Sequence, residues 1–449
     1  MGTDTVREQA ADEAAERRRE QRGWYVYDWA CSVYSTSVLT VFLGPYLTSV
    51  AKAAADADGF VHPLGIPLRA GSFFAYCVSA SVILSIFVMP LAGAAADRTG
   101  RKKPLLAVAA YLGAAATAGM FFLDGDRYLL GGLLLIVANA SLAVSMVLYN
   151  SYLPQIAPPE ERDAVSSRGW AFGYAAGSLV LVANLILYTA HDTFGVSETT
   201  AVRICLASAG IWWGAFTLVP LKRLRDRRTT SSSGTSTPGW RQLAATVRDL
   251  RRQPLTLAFL LAYLVYNDGI QTVISQASVY GSEELGLDQS TLIVAVLLVQ
   301  LLAVAGALGM GRLARTYGAK RTILGSLVAW TVTLGAGYFL PAGAPVWFFV
   351  LAAGIGLVLG GSQALSRSLF SHLVPPGKEA EYFSAYEMSD RGMSWLGPLL
   401  FGLTYQLTGS YRDAIISLVA FFVLGFVLLA RVPVRQAVRD AGNPVPDRI

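Results

Sequence analysis

The sequence predicts an all-α membrane protein, with twelve transmembrane helices in two pseudo-symmetric six-helix bundles. Three observations support this: long charge-free apolar runs recur throughout the 449 residues, basic residues favour alternate loops, and one loop sequence occurs twice. The composition agrees, since 54% of the residues are apolar and 15% are charged, against about 25% charged residues in ordinary soluble domains. A large soluble core is therefore excluded.

The apolar runs have the length that a membrane span requires. A helix needs about 20 mostly apolar residues to cross the hydrocarbon layer, because its backbone polar groups must be satisfied inside the helix. The run Thr322–Ser366 is too long for one span, and the turn sequence Pro341–Pro345 divides it into two. The other predicted spans are Trp29–Ala51, Ala70–Ala96, Pro104–Leu123, Tyr128–Pro159, Gly169–Ala190, Ile204–Leu221, 254–282, Gln289–Gly311, Gly392–Tyr411 and Ala414–Ala430.

The distribution of Lys and Arg predicts the orientation. With both termini on one side, that side carries 31 of the 36 basic residues; the other side carries Lys52, Arg69, Arg127, Arg203 and Arg412. Basic residues concentrate in cytoplasmic loops, so both termini are predicted to be cytoplasmic and the protein to lie in the cell membrane. The net charge of +6 is then a topological signal and does not indicate nucleic-acid binding.

The hydrophilic stretches predict the domain boundaries. Residues 1–23 are polar, resemble no cleavable signal peptide and are expected to form a ragged cytosolic tail. Bundles are predicted at 24–221 and 254–432, with a second cytosolic tail at 433–449. The linker 222–253 contains the stretch Trp240–Gln253, which is either an amphipathic helix on the membrane surface or a solvated connection.

The two halves contain related loops. Gly93, Gly100, Lys102 and Lys103 match Gly311, Gly318, Lys320 and Arg321 at one constant offset, and each loop follows the second span of its half. Duplicated six-helix halves are a recurring plan of transporters.

The first of these loops resembles the Gly-x-x-x-Asp-Arg-x-Gly-Arg-Arg/Lys loop of the major facilitator superfamily. Three further stretches resemble its vacuole-effluxer-like group of autophagy-related amino-acid effluxers and their bacterial relatives: Tyr27–Ala30 with Ser32 and Tyr34, Tyr266–Thr272, and Gly361–Arg367. Cys31 departs from the Asn that is usual in this group. The resemblance implies export of neutral amino acids.

Ionisable residues inside the predicted spans are the candidates for function, because burying one in a bilayer costs at least about 2.5 kcal/mol. Asp268 lies near the middle of span 7 and Asp28 near the start of span 1. We expect Asp268 to contact a substrate amine or a coupling proton, and Asp28 to gate the cytosolic entrance. The alternative is a permanent structural pair, such as Asp268 with Arg391 or Asp28 with Arg168.

Other residues complete this predicted site. Arg391 either binds a substrate carboxylate or is already neutralised by Asp390 and Glu387. Arg367 ends span 10 near the predicted cytosolic face and has no assigned role. The resemblance places Asn267, Gln271 and Gln363 at the substrate path, whereas helix packing is the commoner use of such side chains. Tyr27 is a further candidate there, and its alternative is a place in the interfacial aromatic belt or in packing.

The loop from Gly93 to Lys103 is predicted to act as a gate. Asp97 can cap the positive end of a neighbouring helix, while Gly93 and Gly100 allow a tight turn. In the superfamily this loop locks the two halves together on the cytosolic side. Arg98 and Arg101 belong to the same loop, although basic residues there are also plain orientation signals.

The most consistent interpretation is a secondary active transporter for an amino acid or related amine, working by alternating access, exporting its substrate and driven by protons. The sequence shows no Walker-type phosphate loop, no metal-ligand spacing and no catalytic constellation, so neither an enzyme nor a cofactor is expected. Expected partners are the small solute, protons and the bilayer, and the protein is expected to be a monomer. A transport-inactive sensor or receptor, or an importer of another solute, remains the alternative.

Overall fold

The computed structural model describes residues 2–227, 248–391 and 396–449. Apart from a two-stranded antiparallel sheet of Phe60–Val61 (β1) and Leu68–Arg69 (β2), the regular structure of these residues is helical. Among the described residues, ten helices are long and apolar enough to cross a membrane.

The first part of the chain contains the spans up to residue 223. The first span is one continuous helical stretch, with α-helical ends around a π-helical segment at Tyr34–Phe42. The helices are α1 (Gly2–Val33), α2 (Leu43–Ala53), α3 (Phe73–Thr99), α4 (Lys102–Gly119), α5 (Tyr128–Asn150), α6 (Leu153–Ile156), α7 (Arg162–Thr189) and α8 (Glu198–Arg223).

The remaining spans follow residue 253. The predicted turn at Pro341–Pro345 is confirmed, because one helix ends at Tyr338 and the next begins at Pro345. The helices are α9 (Pro254–Val279), α10 (Gln289–Tyr317), α11 (Ala319–Tyr338), α12 (Pro345–Ser371), α13 (Glu379–Arg391), α14 (Leu396–Thr408), α15 (Tyr411–Ser417), α16 (Val419–Arg431) and α17 (Val434–Asp440).

Two predicted spans look different in the structure. The ninth is the 20-residue helix α11, which is not among the ten described helices that are long and apolar enough to span a membrane. The eleventh was predicted at Gly392–Tyr411, but its described helices are the polar α13 and the short apolar α14. Glu379–Arg391 thus precedes the predicted start of the span, and residues 392–395 lie outside the described part of the chain.

The prediction of a ragged N-terminal tail is wrong. Residues 2–23 are helical and continue into the first span as α1. The segment is rich in Ala, Glu and Arg, which have high helix propensity. Glu20 is buried, and Arg227 donates to its Oε2 over 2.5 Å.

By packing, the chain divides into two compact units. One comprises the described residues of Met1–Tyr149 and Ala175–Thr229, and the other those of Asn150–Tyr174 and Thr230–Ile449. The segment Asn150–Tyr174 therefore packs with residues that follow it by about two hundred positions, which concerns the site below. Most of the linker's amphipathic stretch lies outside the described residues; at its end Leu250 is buried in the core of the second unit.

Candidate functional site

Asp268 is the central acidic residue of the second unit. It lies near the middle of α9, and only 2% of its surface is exposed. Its Oδ2 accepts a hydrogen bond of 2.8 Å from the backbone N–H of Gly397. Its Oδ1 is buried and has no hydrogen-bond partner in the described part of the chain. One oxygen of this carboxyl group therefore has a fixed role, and the other is available to a proton or a donor.

The Gly397 contact joins α9 to α14, because a backbone N–H of α14 satisfies one oxygen of the buried carboxyl group. Gly397 permits the approach, because a Cβ atom at this position would overlap the Thr272 hydroxyl.

Beside Asp268, a second group of polar side chains surrounds Asp390. Asn267 Nδ2 donates to Asp390 Oδ1 over 2.8 Å, and the Tyr263 hydroxyl donates to the same oxygen over 2.7 Å. The ring of Tyr263 stacks on Tyr386 with centroids 4.4 Å apart. The structure therefore brings Asn267 into a network with Asp390, and this network joins α9 to α13.

For two predicted site residues, Gln271 and Arg391, the structure gives no side-chain contact. Gln271 lies one turn after Asn267 and is half-buried. The side chain of Arg391 lies outside what the structure describes, so its predicted pairing with Asp268 or a substrate carboxylate stays a prediction.

The cluster around Arg367 carries a role that the sequence did not reveal. Arg367 is 1% exposed. Its Nε donates to Ser166 Oγ over 2.9 Å, one terminal nitrogen donates to the Ser166 carbonyl oxygen over 2.9 Å, and the other to Asn150 Oδ1 over 3.3 Å. Asn150 in turn donates to Glu387 Oε1 over 2.7 Å. A buried cation and a buried anion thus share one amide.

Further contacts extend this cluster along α7 and α12. The guanidinium carbon of Arg367 lies 5.3 Å from the ring centre of Trp170. The Tyr174 hydroxyl donates to Gln363 Oε1 over 3.3 Å, so the predicted Gln363 faces the segment 150–174. The sequence signal was a charged residue at the end of a span; the partners, some 200 positions earlier, had no signal of their own.

In the first unit, Asp28 is bound to an aromatic residue of α5. It is 4% exposed, and the Tyr149 hydroxyl donates to its Oδ2 over 2.6 Å. The ring of Tyr149 stacks on Trp24 at 4.4 Å, while the fully buried Tyr27 lies 5.1 Å from Tyr149. Asp28 and Tyr27 therefore belong to one packed aromatic group.

The predicted gating loop joins α3 to α4. Asp97 and Lys102 are both buried, and Lys102 Nζ lies 3.5 Å from Asp97 Oδ1. Gly100 ends α3 with φ 63°, a left-handed conformation that favours glycine. Arg98 is half-buried, Arg101 is exposed, and Gly93 is buried in α3. Asp97 is thus paired with a basic side chain in the first turn of the next helix, and its role as a helix cap and gate stays a prediction.

In the related loop between α10 and α11, the lysine that corresponds to Lys102, Lys320, has different partners. Arg315 replaces the acid at this position, and Lys320 Nζ donates instead to the carbonyl oxygens of Ala430 and Val432 over 2.9 and 2.8 Å. These carbonyls lie at the C-terminal end of α16, where a cation is favourable. The second copy therefore fixes the end of the last span.

No cluster of His, Cys, Asp and Glu that could hold a metal occurs among the described residues. The three cysteines are free and buried.

Comparisons with known proteins agree with this architecture. A variant of the Escherichia coli fucose:proton symporter FucP superposes with a TM-score of 0.69 over 92% of this chain and 97% of that one, at 13% identity. A bacterial homologue of the iron transporter ferroportin, in an outward-facing state, gives a TM-score of 0.65 over 93% of this chain and 98% of that one, at 16% identity. The protein is a multi-pass membrane protein with the major facilitator fold.

The family follows from the sequence matches. The model described as "Vacuole effluxer Atg22 like" matches residues 16–442, and the chain belongs to this family of major facilitator transporters. An uncharacterized MFS-type transporter of Bacillus subtilis, YxiO, is 30% identical over 92% of this chain and 95% of its own length. Autophagy-related protein 22-1 of Aspergillus niger is 25% identical over 94% of this chain and 90% of its own length.

Proposed function

We propose that this transporter moves an amino acid or a related amine across the cell membrane by alternating access, with Asp268 as the residue that binds the substrate ammonium group or a coupling proton. Asp268 carries this proposal because it is buried in the middle of a membrane span and keeps one carboxyl oxygen without a hydrogen bond to the described residues. A carboxyl group in such a position needs a donor or a proton.

The surroundings support a site for a small polar solute. Asn267, one residue before Asp268, presents an amide whose Oδ1 is buried and has no hydrogen-bond partner in the described structure. A buried acceptor oxygen without a donor suits an ammonium group, which carries three donors. An ordinary apolar core would leave neither oxygen unsatisfied.

The direction and energy source of transport belong to the same proposal. The similarity to effluxers favours export, and the buried carboxyl group favours coupling to protons, because alternating exposure to two aqueous phases allows it to take up and release one. Orientation with both termini in the cytoplasm follows the distribution of basic residues. The cytosolic closure is proposed to involve the Asp97–Lys102 pair, with Gly93, Arg98, Gly100 and Arg101 shaping its loop.

Counterflow in proteoliposomes tests the proposal. Vesicles loaded with unlabelled amino acids, amines or sugars are diluted into labelled solute, with and without a pH gradient. Wild-type protein is expected to accumulate one class of amino acid or amine. Asp268→Asn keeps the acceptor for Gly397 and should lose this accumulation, whereas Glu284→Gln, the same charge change in a half-buried pair with Arg412, should retain it.

Two results would overturn the proposal. Absence of counterflow with every solute, from correctly folded wild-type protein, would favour a sensor or receptor. Normal counterflow and normal pH dependence in Asp268→Asn would remove Asp268 from the mechanism.

A further inference from the structure

The second unit contains a groove that the proposed transport function does not use. It has a volume of about 610 Å³ and lies between α10 and α11, with Leu357 and Val358 of α12 also in its lining. The α10 side runs from Ala305 to Tyr317, and the α11 side from Arg321 to Ala329. Leu313, Tyr317 and Leu357 are 49%, 59% and 45% exposed, so the groove opens to the surface that these helices present to the bilayer.

Glycines create the space in this groove. A Cβ atom added at Gly309 or Gly325 would have no heavy atom within 4 Å, apart from the neighbouring residues and backbone of its own helix. The two hydroxyl groups in the lining are satisfied locally, since Thr322 donates to the Gly318 carbonyl over 2.8 Å and Ser326 to the Ile323 carbonyl over 2.7 Å. The wall is therefore chemically apolar and suits a hydrocarbon chain rather than a polar solute.

The length of the groove matches one leaflet. From Ala305 to Tyr317 the helix rises by about 18 Å at roughly 1.5 Å per residue. Half of the hydrocarbon core of a bilayer is about 15 Å. An acyl chain that begins at the Tyr317 end would therefore reach Ala305 close to the bilayer centre.

The charge at the Tyr317 end indicates the head group. Arg321 lines the groove there, is exposed, and forms no hydrogen bond or ion pair within the described part of the chain. Arg312 and Arg315 are exposed on the last turns of α10, and Gln289–Tyr338 contains no acidic residue; the nearby negative charges include Asp163, which acts on Arg315, and the terminal carboxylate of Ile449 beside Gly318. This end is predicted to be cytoplasmic, where the leaflet carries anionic lipids that basic pockets between helices bind.

We infer that this groove binds an anionic phospholipid, with one acyl chain along Gly309 and Gly325 and its phosphate on the guanidinium group of Arg321. The arginine fork suits the phosphate oxygens. The lipid is a structural partner on the outer surface of the second unit and is distinct from the transported solute.

Native mass spectrometry of the purified full-length protein tests the inference. The protein is released from detergent after incubation with phosphatidylglycerol or phosphatidylcholine of identical acyl chains. Wild type should bind phosphatidylglycerol at least about tenfold more tightly, because the quaternary ammonium group of phosphatidylcholine offsets the charge of its phosphate, whereas phosphatidylglycerol presents a net negative charge to Arg321. Arg321→Gln should bring the two lipids to within about threefold of each other by removing that contact.

The acyl-chain part is tested separately. Gly309→Leu and Gly325→Leu each fill the groove and should weaken binding of both lipids. Gly335→Leu is the matched control, because Gly335 also has open space, lies on α11 and is outside the groove; it should bind as wild type does. Size-exclusion chromatography shows that each variant is folded.

The inference is overturned if wild type shows no preference for phosphatidylglycerol, or if both filled-groove variants fold and bind it unchanged. It is also overturned if wild type is a dimer that Gly309→Leu or Gly325→Leu dissociates, because a second copy of the chain would then occupy the groove.

Discussion

Arg367 offers the sharpest test of how the second unit is held together. Its guanidinium group is buried and donates to Ser166 Oγ, the Ser166 carbonyl and Asn150 Oδ1, while Asn150 also holds the buried Glu387. Replacing Arg367 by Gln removes the buried cation that shares Asn150 with Glu387, and it leaves the Ser166 and Asn150 acceptors with fewer donors. Breaking one partner of a buried charged network costs about 3–5 kcal/mol.

The control is the same substitution at a half-buried pair. Arg412 Nε donates to Glu284 over 2.8 Å, with both side chains partly exposed. An ion pair accessible to water is worth about 1 kcal/mol or less. Arg412→Gln should therefore lower the free energy of unfolding far less than Arg367→Gln.

Reversible unfolding in mixed micelles, followed by circular dichroism, measures both values. The expected result is a loss of about 3–5 kcal/mol for Arg367→Gln. A loss below about 1 kcal/mol, equal to that of the Arg412 variant, would refute the argument that burial makes this cluster a strong link between the segment 150–174 and α12.

Two further predictions concern the backbone and pH. Gly100→Ala should lower the free energy of unfolding by about 1–2 kcal/mol, because Gly100 has a φ of 63° that an L-residue adopts only with strain. Gly335→Ala, inside a helix with open space around it, should raise the free energy of unfolding by up to about 1 kcal/mol. An equal effect of both substitutions in chemical unfolding would contradict this prediction. Burial and the nearby Arg162 hold the pKa of His372 well below 6.5. Below about pH 6.5, His372 is protonated in the unfolded chain but stays neutral in the folded chain. The free energy of unfolding should therefore fall as pH decreases below about 6.5, by at most about 1.4 kcal/mol per pH unit. His372→Gln should remove that part of the slope in thermal unfolding between pH 7.5 and 5; an unchanged slope would contradict it.

Much of the fold was predictable because bilayer spans leave a local signal. The turn at Pro341–Pro345 and the ten apolar helices follow from runs of hydrophobic residues with Pro and Gly between them. Around the eleventh predicted span the described helices are the polar Glu379–Arg391 and the short apolar Leu396–Thr408, so hydropathy alone does not define where this span begins. The helical N-terminal segment was missed because it is charged, although its helix propensity was a usable signal.

The site was predictable only in part, for a related reason. A lone acid in an apolar run identifies Asp268, and its burial agrees. Its partner is the backbone N–H of Gly397, which has no sequence signature. Likewise, the sequence around Asn150 and Ser166 does not predict a contact with Arg367, because this contact forms only when helices distant in sequence pack together.

The most direct test of the central claim is equilibrium binding of the transported amino acid or amine to purified protein, measured by scintillation proximity for wild type, Asp268→Asn and Glu284→Gln. A hydrogen bond to a charged group contributes about 1.5–3 kcal/mol, or roughly 10- to 150-fold in Kd. We predict that Asp268→Asn weakens binding by at least about tenfold, while Glu284→Gln leaves it unchanged. Equal Kd values for all three proteins, with intact transport, would contradict the assignment of Asp268.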